Sequence, residues 1–173
     1  MSRLNQVHPS ILFADSDACY KGKRTSIISK IQQLHAGLSH KAPIYVIQVS
    51  APVTEFPSIE DFLSVASSSD ALEFLRVPFN YPLVIVYSSG TTGAPKCIVH
   101  QHGIIIQLKK ISILHQGFGP WSTIVQYTST SWILFSILMG HLSAGAKCVC
   151  YDGSPMYPDV RQMVKLVAKF RYG

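Results

Sequence analysis

The run LVIVYSSGTTGAPK, residues 83–96, joins two opposite kinds of sequence. Leu83, Val84, Ile85 and Val86 are as apolar as a buried strand. Ser88, Ser89, Thr91 and Thr92 then bring hydroxyls, Pro95 stiffens the exit, and Lys96 ends the turn with a charge. Gly90 and Gly93 can take positive φ at little cost and leave neighbouring amides uncovered. Successive bare amides make an anion-binding nest, and with hydroxyls around it and a lysine closing it, such a nest suits a polyphosphate. A Lys–phosphate contact at about 4 Å is worth about 1 kcal/mol in water and about 4 kcal/mol at an effective dielectric near 20, so partial shelter raises the value of Lys96. The spacing is not that of a Walker A loop, which places four residues between its glycines and then Lys-Ser/Thr. Here Thr91 and Thr92 alone separate Gly90 from Gly93, and Cys97 follows Lys96. The plainer reading is a flexible surface turn; the apolar strand before it and the Pro-Lys after it stand against that.

Outward from the loop, apolar runs and helical periods alternate. Ile27, Ile28, Ile31, Leu34 and Leu38 fall at helical spacing, with Ser26 as N-cap and Gly37 near the end. Residues 44–49 read as a strand opened by Pro43, residues 50–57 as a loop, and Ser58 with Asp61 as the capping box of a short helix reaching Ala66. Breaks fall at 67–70 and 78–82. Beyond the loop, Ile98 and Val99 are extended, 103–114 is a helix, and 123–127 is a strand. Residues 131–142 form an apolar helix that Gly145 terminates, and 147–151 a strand running into the turn DGSP. Asp159 caps a last helix that carries Val160, Met163, Val164 and Val167 on one face. This alternation predicts an α/β fold with a mostly parallel sheet flanked by helices. Ligands of such sheets bind past the carboxyl ends of the strands, where the loop lies.

The chain has 173 residues, 47% of them hydrophobic and 14% charged, enough to bury a core in one domain or a little more. The N-terminus has no basic stretch followed by an apolar run, as a secretion signal requires. The most apolar stretch, residues 132–146, holds His141 and is shorter than the roughly 20 residues a bilayer demands, so no membrane span is expected. Net charge is +6 and unevenly placed. Residues 1–80 carry seven Lys/Arg and seven Asp/Glu; residues 81–173 carry eight and two, with no acid between Glu73 and Asp152. This excess is either a surface without special purpose or a seat for an anion. Nucleic acid is not the expected partner, because the positive residues are scattered and no basic-aromatic interleaving occurs. Cys19, Cys97, Cys148 and Cys150 form no C-x-x-C pair and no metal cluster with the seven histidines, which reads as reduced thiols in a cytoplasmic protein. Cys148 and Cys150 face one side of their strand as small apolar groups.

YSSGTTGAPK resembles the phosphate-binding signature of the adenylate-forming (AMP-binding) superfamily: acyl-CoA synthetases, luciferase-like enzymes and the adenylation domains of peptide synthetases. ILFADSDACYKGKR, FPSIEDFLSV, LRVPFNYPLVIVYSSGTTGAPKCIVH and AKCVCYDGSP are similar to the acetoacetyl-CoA synthetase (acetoacetate–CoA ligase) branch. The resemblance runs from about Ile11 to the end of the chain and covers only a central part of the family's full length. It implies the incomplete N-terminal domain of an adenylate-forming enzyme, with residues 1–80 as a leading α/β segment, 81–173 as the phosphate-loop segment, and the C-terminal domain absent. It further implies ATP-dependent activation of a small carboxylic acid through an acyl-adenylate to its coenzyme A thioester. Ser88, Ser89, Gly90, Thr91, Thr92, Gly93 and Lys96 would hold the ATP phosphates, Lys96 acting by charge. TSTSW, residues 128–132, matches the segment beside the acyl pocket, so Trp132, Ile133 and Leu134 would wall the acid; ordinary helix packing is the plain alternative for Trp132. Ser131 stands where the family usually has Gly, and Cys97 where many members have Gly. His100 and His102 are read as structural.

The family's later motifs, an aromatic-Gly-x-Thr-Glu stretch, a Thr/Ser-Gly-Asp stretch and a lysine on a mobile C-terminal domain, do not occur in this sequence. Residues 74–151 offer no carboxylate to a magnesium ion. The expected cofactors are therefore ATP and Mg, with the magnesium ligands outside this chain, and coenzyme A as co-substrate. The isolated chain is expected to be a fragment without turnover, poorly soluble because a sheet cut mid-domain exposes apolar area. A non-catalytic remnant that binds nucleotide or a protein through an unfinished sheet edge is the alternative. A phosphotransferase of another fold is disfavoured by the missing Walker spacing.

Overall fold

A computed structural model describes residues 2–67, 69–88 and 93–171, with the backbone alone for Ser2 and Arg171. The chain divides into two compact units, Met1–Leu75 and Arg76–Gly173. Together their helices and strands make the α/β fold that the alternating pattern predicts.

The first unit holds α1 (Ser2–Val7), β1 (Leu12–Asp15), β2 (Asp17–Tyr20), β3 (Lys23–Ser26), α2 (Ile28–Gly37), β4 (Ile44–Ile47) and α3 (Ile59–Leu63). β1 and β4 pair in parallel, Leu12 opposite Ile44 and Ala14 opposite Val46. Alternation along the strands sends Leu12, Ala14, Ile44 and Val46 to one face, where Ile31 of α2 closes a core with Ile28, Leu34, Val53 and Phe56. On the opposite face Phe13, Tyr45 and Phe62 meet, both Phe13 and Tyr45 lying 5.1 Å from the Phe62 ring. Edge-to-face packing of this kind lets α3 cover that side. α3 starts as read from sequence: Ser58 Oγ accepts the Asp61 N–H at 3.1 Å and the Asp61 carboxylate accepts the Ser58 N–H at 2.7 Å. It ends at Leu63, short of Ala66, and β4 ends at Ile47, short of Val49.

The second unit holds β5 (Pro82–Ser88), β6 (Lys96–Gln101), α4 (Gly103–Lys110), a π-helical turn (Ile111–His115), β7 (Thr123–Val125), α5 (Ile133–Gly140), a 3₁₀ turn (His141–Ala144), β8 (Lys147–Val149) and α6 (Gln162–Arg171). β7 and β8 are parallel, Ile124 opposite Cys148. β5 and β6 are antiparallel, so the Ser/Thr/Gly loop connects the two arms of a hairpin and does not cross from a parallel strand to a helix. β5 is also less covered than its composition predicts: Leu83 is 43% and Ile85 41% exposed. Among the described residues its ladder partner is β6 alone, and its start, Leu83 and Val84, lines a cleft with α4 and α5. Gly145 terminates the α5 segment as expected, with φ +81 and a Pro120 carbon 3.1 Å from where a Cβ would stand. The helix after β6 does not continue as a plain α-helix but widens into its π turn at Ile111. On α6, Val164 is largely exposed while Val167 and Phe170 line a cavity with Thr123 and Val125 of β7; Val160, also exposed, lies ahead of the helix and not on it. No helix among the described residues is long and apolar enough to cross a membrane.

Candidate functional site

The hairpin positions the loop. Ser88, the last residue of β5, stands directly opposite Lys96, the first of β6. Directly opposed residues project to the same face of an antiparallel pair, so a hydroxyl and an ammonium sit side by side at the two feet of the loop. Val86 with Ile98 and Val84 with His100 continue that face; Tyr87 with Cys97 and Ile85 with Val99 form the other. A bulge at Leu83 shifts the register beyond Val84. Ser88 is half-buried and Lys96 exposed. The ion pairs among the described residues, Arg161 and Lys165 with Asp159, leave Lys96 without a carboxylate.

Ser89, Gly90, Thr91 and Thr92 lie outside the described residues. The described glycines with positive φ are Gly22, Gly117, Gly145 and Gly153, all away from the loop. A Cβ at Gly93 would meet nothing within 4 Å. Among the described residues, then, nothing crowds the backbone at Gly93.

At its other end, the face that carries Lys96 reaches an apolar cleft of about 430 Å³. Four residues of strand, about 13 Å, separate Ser88 from Val84, which lines it. α4 contributes Ile104, Ile105 and Leu108, and α5 contributes Phe135, Ser136 and Met139, with Thr130 just ahead of that helix. Trp132, Ile133 and Leu134 are not among the lining residues. Trp132 is 44% exposed at the start of α5, its N–H donated to the Ser129 carbonyl at 3.1 Å; Ile133 and Leu134 are half-buried. Sequence reading missed Phe135 and Met139 as cleft residues, although their i,i+4 spacing on an apolar helix put them on one face.

His100 is half-buried in β6 and His102 precedes α4, its carbonyl accepting the Ile105 N–H at 3.1 Å, so the two do not share a strand face. The four cysteines are free thiols. Burial, helped by the nearby Cys150, pushes the Cys148 thiol up, and it donates to the Leu138 carbonyl at 3.0 Å. Cys148 is thus a packing group held in its neutral form.

The model of the family described as AMP-binding enzyme matches residues 2–172. An acetoacetyl-CoA synthetase of Danio rerio is 36% identical over 96% of this chain and 27% of its own length. A malonamoyl-CoA synthetase of Penicillium aethiopicum is 34% identical over 91% of this chain and 23% of its own length. Among solved structures, an acetoacetyl-CoA synthetase from Streptomyces lividans matches with a TM-score of 0.85 and 31% identity, covering 96% of this chain and 26% of that one. The chain spans about a quarter of the length of these relatives. From a family match over nearly all its residues and a loop hairpin held in a superimposable fold, the chain belongs to the AMP-binding enzyme family.

Proposed function

We propose that this chain carries the triphosphate grip of an adenylate-forming acid–CoA ligase. In that chemistry the carboxylate of the acid attacks the α-phosphate of ATP, giving an acyl-adenylate and pyrophosphate; the thiol of coenzyme A then displaces AMP and leaves the thioester. The observation that carries the reading is the Ser88–Lys96 pair, a hydroxyl and an uncompensated ammonium on one face at the feet of the loop. Ser88, Ser89, Gly90, Thr91, Thr92 and Gly93 hold the β- and γ-phosphates. Lys96 stabilises the charge there and transfers no proton. Trp132, Ile133 and Leu134 wall the acid, and the names of the relatives favour a small acid of the acetoacetate kind. The partners are small molecules, with no nucleic acid and no membrane among them, and free thiols suit a cytoplasmic setting.

Magnesium does not fit this stretch. A hard cation needs several oxygen ligands, yet residues 74–151 contain no carboxylate, and among the described residues no three His, Cys, Asp or Glu side chains converge. That gap favours a second reading for the chain by itself: nucleotide binding without turnover. Titration with ATP tests the grip. Lys96→Ala is expected to weaken binding by between about fivefold and several hundredfold, the range from a fully hydrated lysine–phosphate contact of about 1 kcal/mol to a partly sheltered one of about 4 kcal/mol. ATP–pyrophosphate exchange with acetoacetate is expected to stay at background. Affinity that ignores the substitution would remove the role of the loop, and vigorous exchange would overturn the non-catalytic reading.

A further inference from the structure

Away from the loop, a buried polar pair ties two helices together. Ser112, in the π turn after α4, is 0% exposed, and His141, in the 3₁₀ turn after α5, is 3% exposed. Ser112 Oγ lies 2.7 Å from the Leu108 carbonyl and 2.7 Å from His141 Nδ1. A carbonyl only accepts, so the single hydroxyl proton of Ser112 goes to Leu108 and its lone pair faces Nδ1. Neutral His141 must then carry its proton on Nδ1. Phe118 packs edge-on against the imidazole at 5.2 Å, and the His141 carbonyl accepts the Ala146 N–H.

Protonating this ring creates a cation that meets no carboxylate on the described elements packed against it. The titratable groups on the elements packed around it are Lys109 and Lys110 of α4, His115 of the π turn, and Lys147 and Cys148 of β8; α5 and the 116–122 loop contribute none. None of these is acidic at neutral pH, and the acid-free stretch from 74 to 151 encloses them all. Of the two carboxylates beyond it, Asp159 is taken by Arg161 and Lys165.

We propose that the Ser112–His141 pair is an acid-sensitive latch: neutral, it holds the end of α4 to the end of α5, whereas a proton added at Nε2 leaves the Nδ1–H bond in place but puts an unpaired charge in a buried position, and the two ends part. Burial holds the His141 imidazole below its ordinary range, so the unfolded state takes up the proton first. Stability from this group is complete above about pH 6.5 and declines as pH falls from there toward the folded value.

Trp121 and Trp132 both lie in the second unit and are the only tryptophans, so their fluorescence reports this unit alone. Followed by that signal in urea, the unfolding equilibrium constant is expected to rise more in wild type than in His141→Asn between pH 7.5 and 5.5, by up to about tenfold. Nitrogen-15 NMR of the wild-type imidazole needs no variant to fold. It is expected to show the Nδ1–H tautomer at pH 7.5 and titration below the ordinary histidine range. Equal pH dependence in the two proteins, an Nε2–H tautomer or an ordinary titration would each overturn the latch.

Discussion

At Gly140 the backbone of α5 runs so close to α4 that a Cβ would stand 2.6 Å from Leu108 Cδ1 and 2.8 Å from its Cβ. Leu108 is itself buried and cannot swing clear as a surface side chain would. Gly140→Ala should therefore destabilise the second unit by about 1–3 kcal/mol, the usual range for overpacking, despite the better helix propensity of alanine. A urea midpoint shift read by tryptophan fluorescence checks it, and an unchanged or raised midpoint would show that the helices separate freely. Nothing in the local sequence announces this contact, because Leu108 and Gly140 meet only through the fold. Ser112 and His141 were hidden for the same reason. The pairing of Ser88 with Lys96 comes from the hairpin and was not readable in advance; what the sequence offered was contiguous chemistry, hydroxyls, glycines and a lysine within one turn, from which an anion site is expected.

Secondary-structure elements were readable where the signal is local and one-sided. The capping box of α3 is complete within Ser58–Asp61, and the structure reproduces both of its hydrogen bonds. Ser58→Ala should cost about 1 kcal/mol, detectable as a lower urea midpoint for the first unit and weaker dispersion of the Phe62 ring resonances by NMR. The Ser58 backbone N–H, and then its hydroxyl, hold the Asp61 carboxyl below its ordinary value. Because the folded pKa is depressed, this cap is intact above about pH 4 and is lost as pH falls through the folded value. An Asp61 carboxyl that titrated as a free side chain would disprove the arrangement. The β2–β3 hairpin gave no such signal. Every residue of β3 is exposed, so alternation is missing, and its turn uses Lys21 and Gly22, both at positive φ, where Asn-Gly would have been recognised. The mistaken burial of β5 has a related cause: an apolar strand predicts a covered one only when elements pack on both of its faces.

For the molecule as a whole, the division at Leu75 and Arg76 falls in a stretch without regular structure, residues 70–78, that exposes Leu72, Phe74 and Leu75. Limited trypsin digestion should cut first after Arg76 and leave two products matching the units, followed by mass spectrometry over time. Initial cleavage inside α2 or α4 would contradict the division. The apolar side chains left open there, on β5 and on α6 should also bind a hydrophobic dye at neutral pH, in line with the poor solubility expected from sequence. The ladder that sets Ser88 against Lys96 has a consequence for how this part of the molecule tolerates change. It fixes both ends of residues 89–95, so the chain-closure entropy of that segment is met by strand pairing and not by the ligand. Doubling such a segment adds only about 0.6 kcal/mol to closure. Inserted glycines between Ser89 and Pro95 should therefore leave the hairpin intact while dispersing its donors, making folding and nucleotide affinity separable by mutation at one place in the chain.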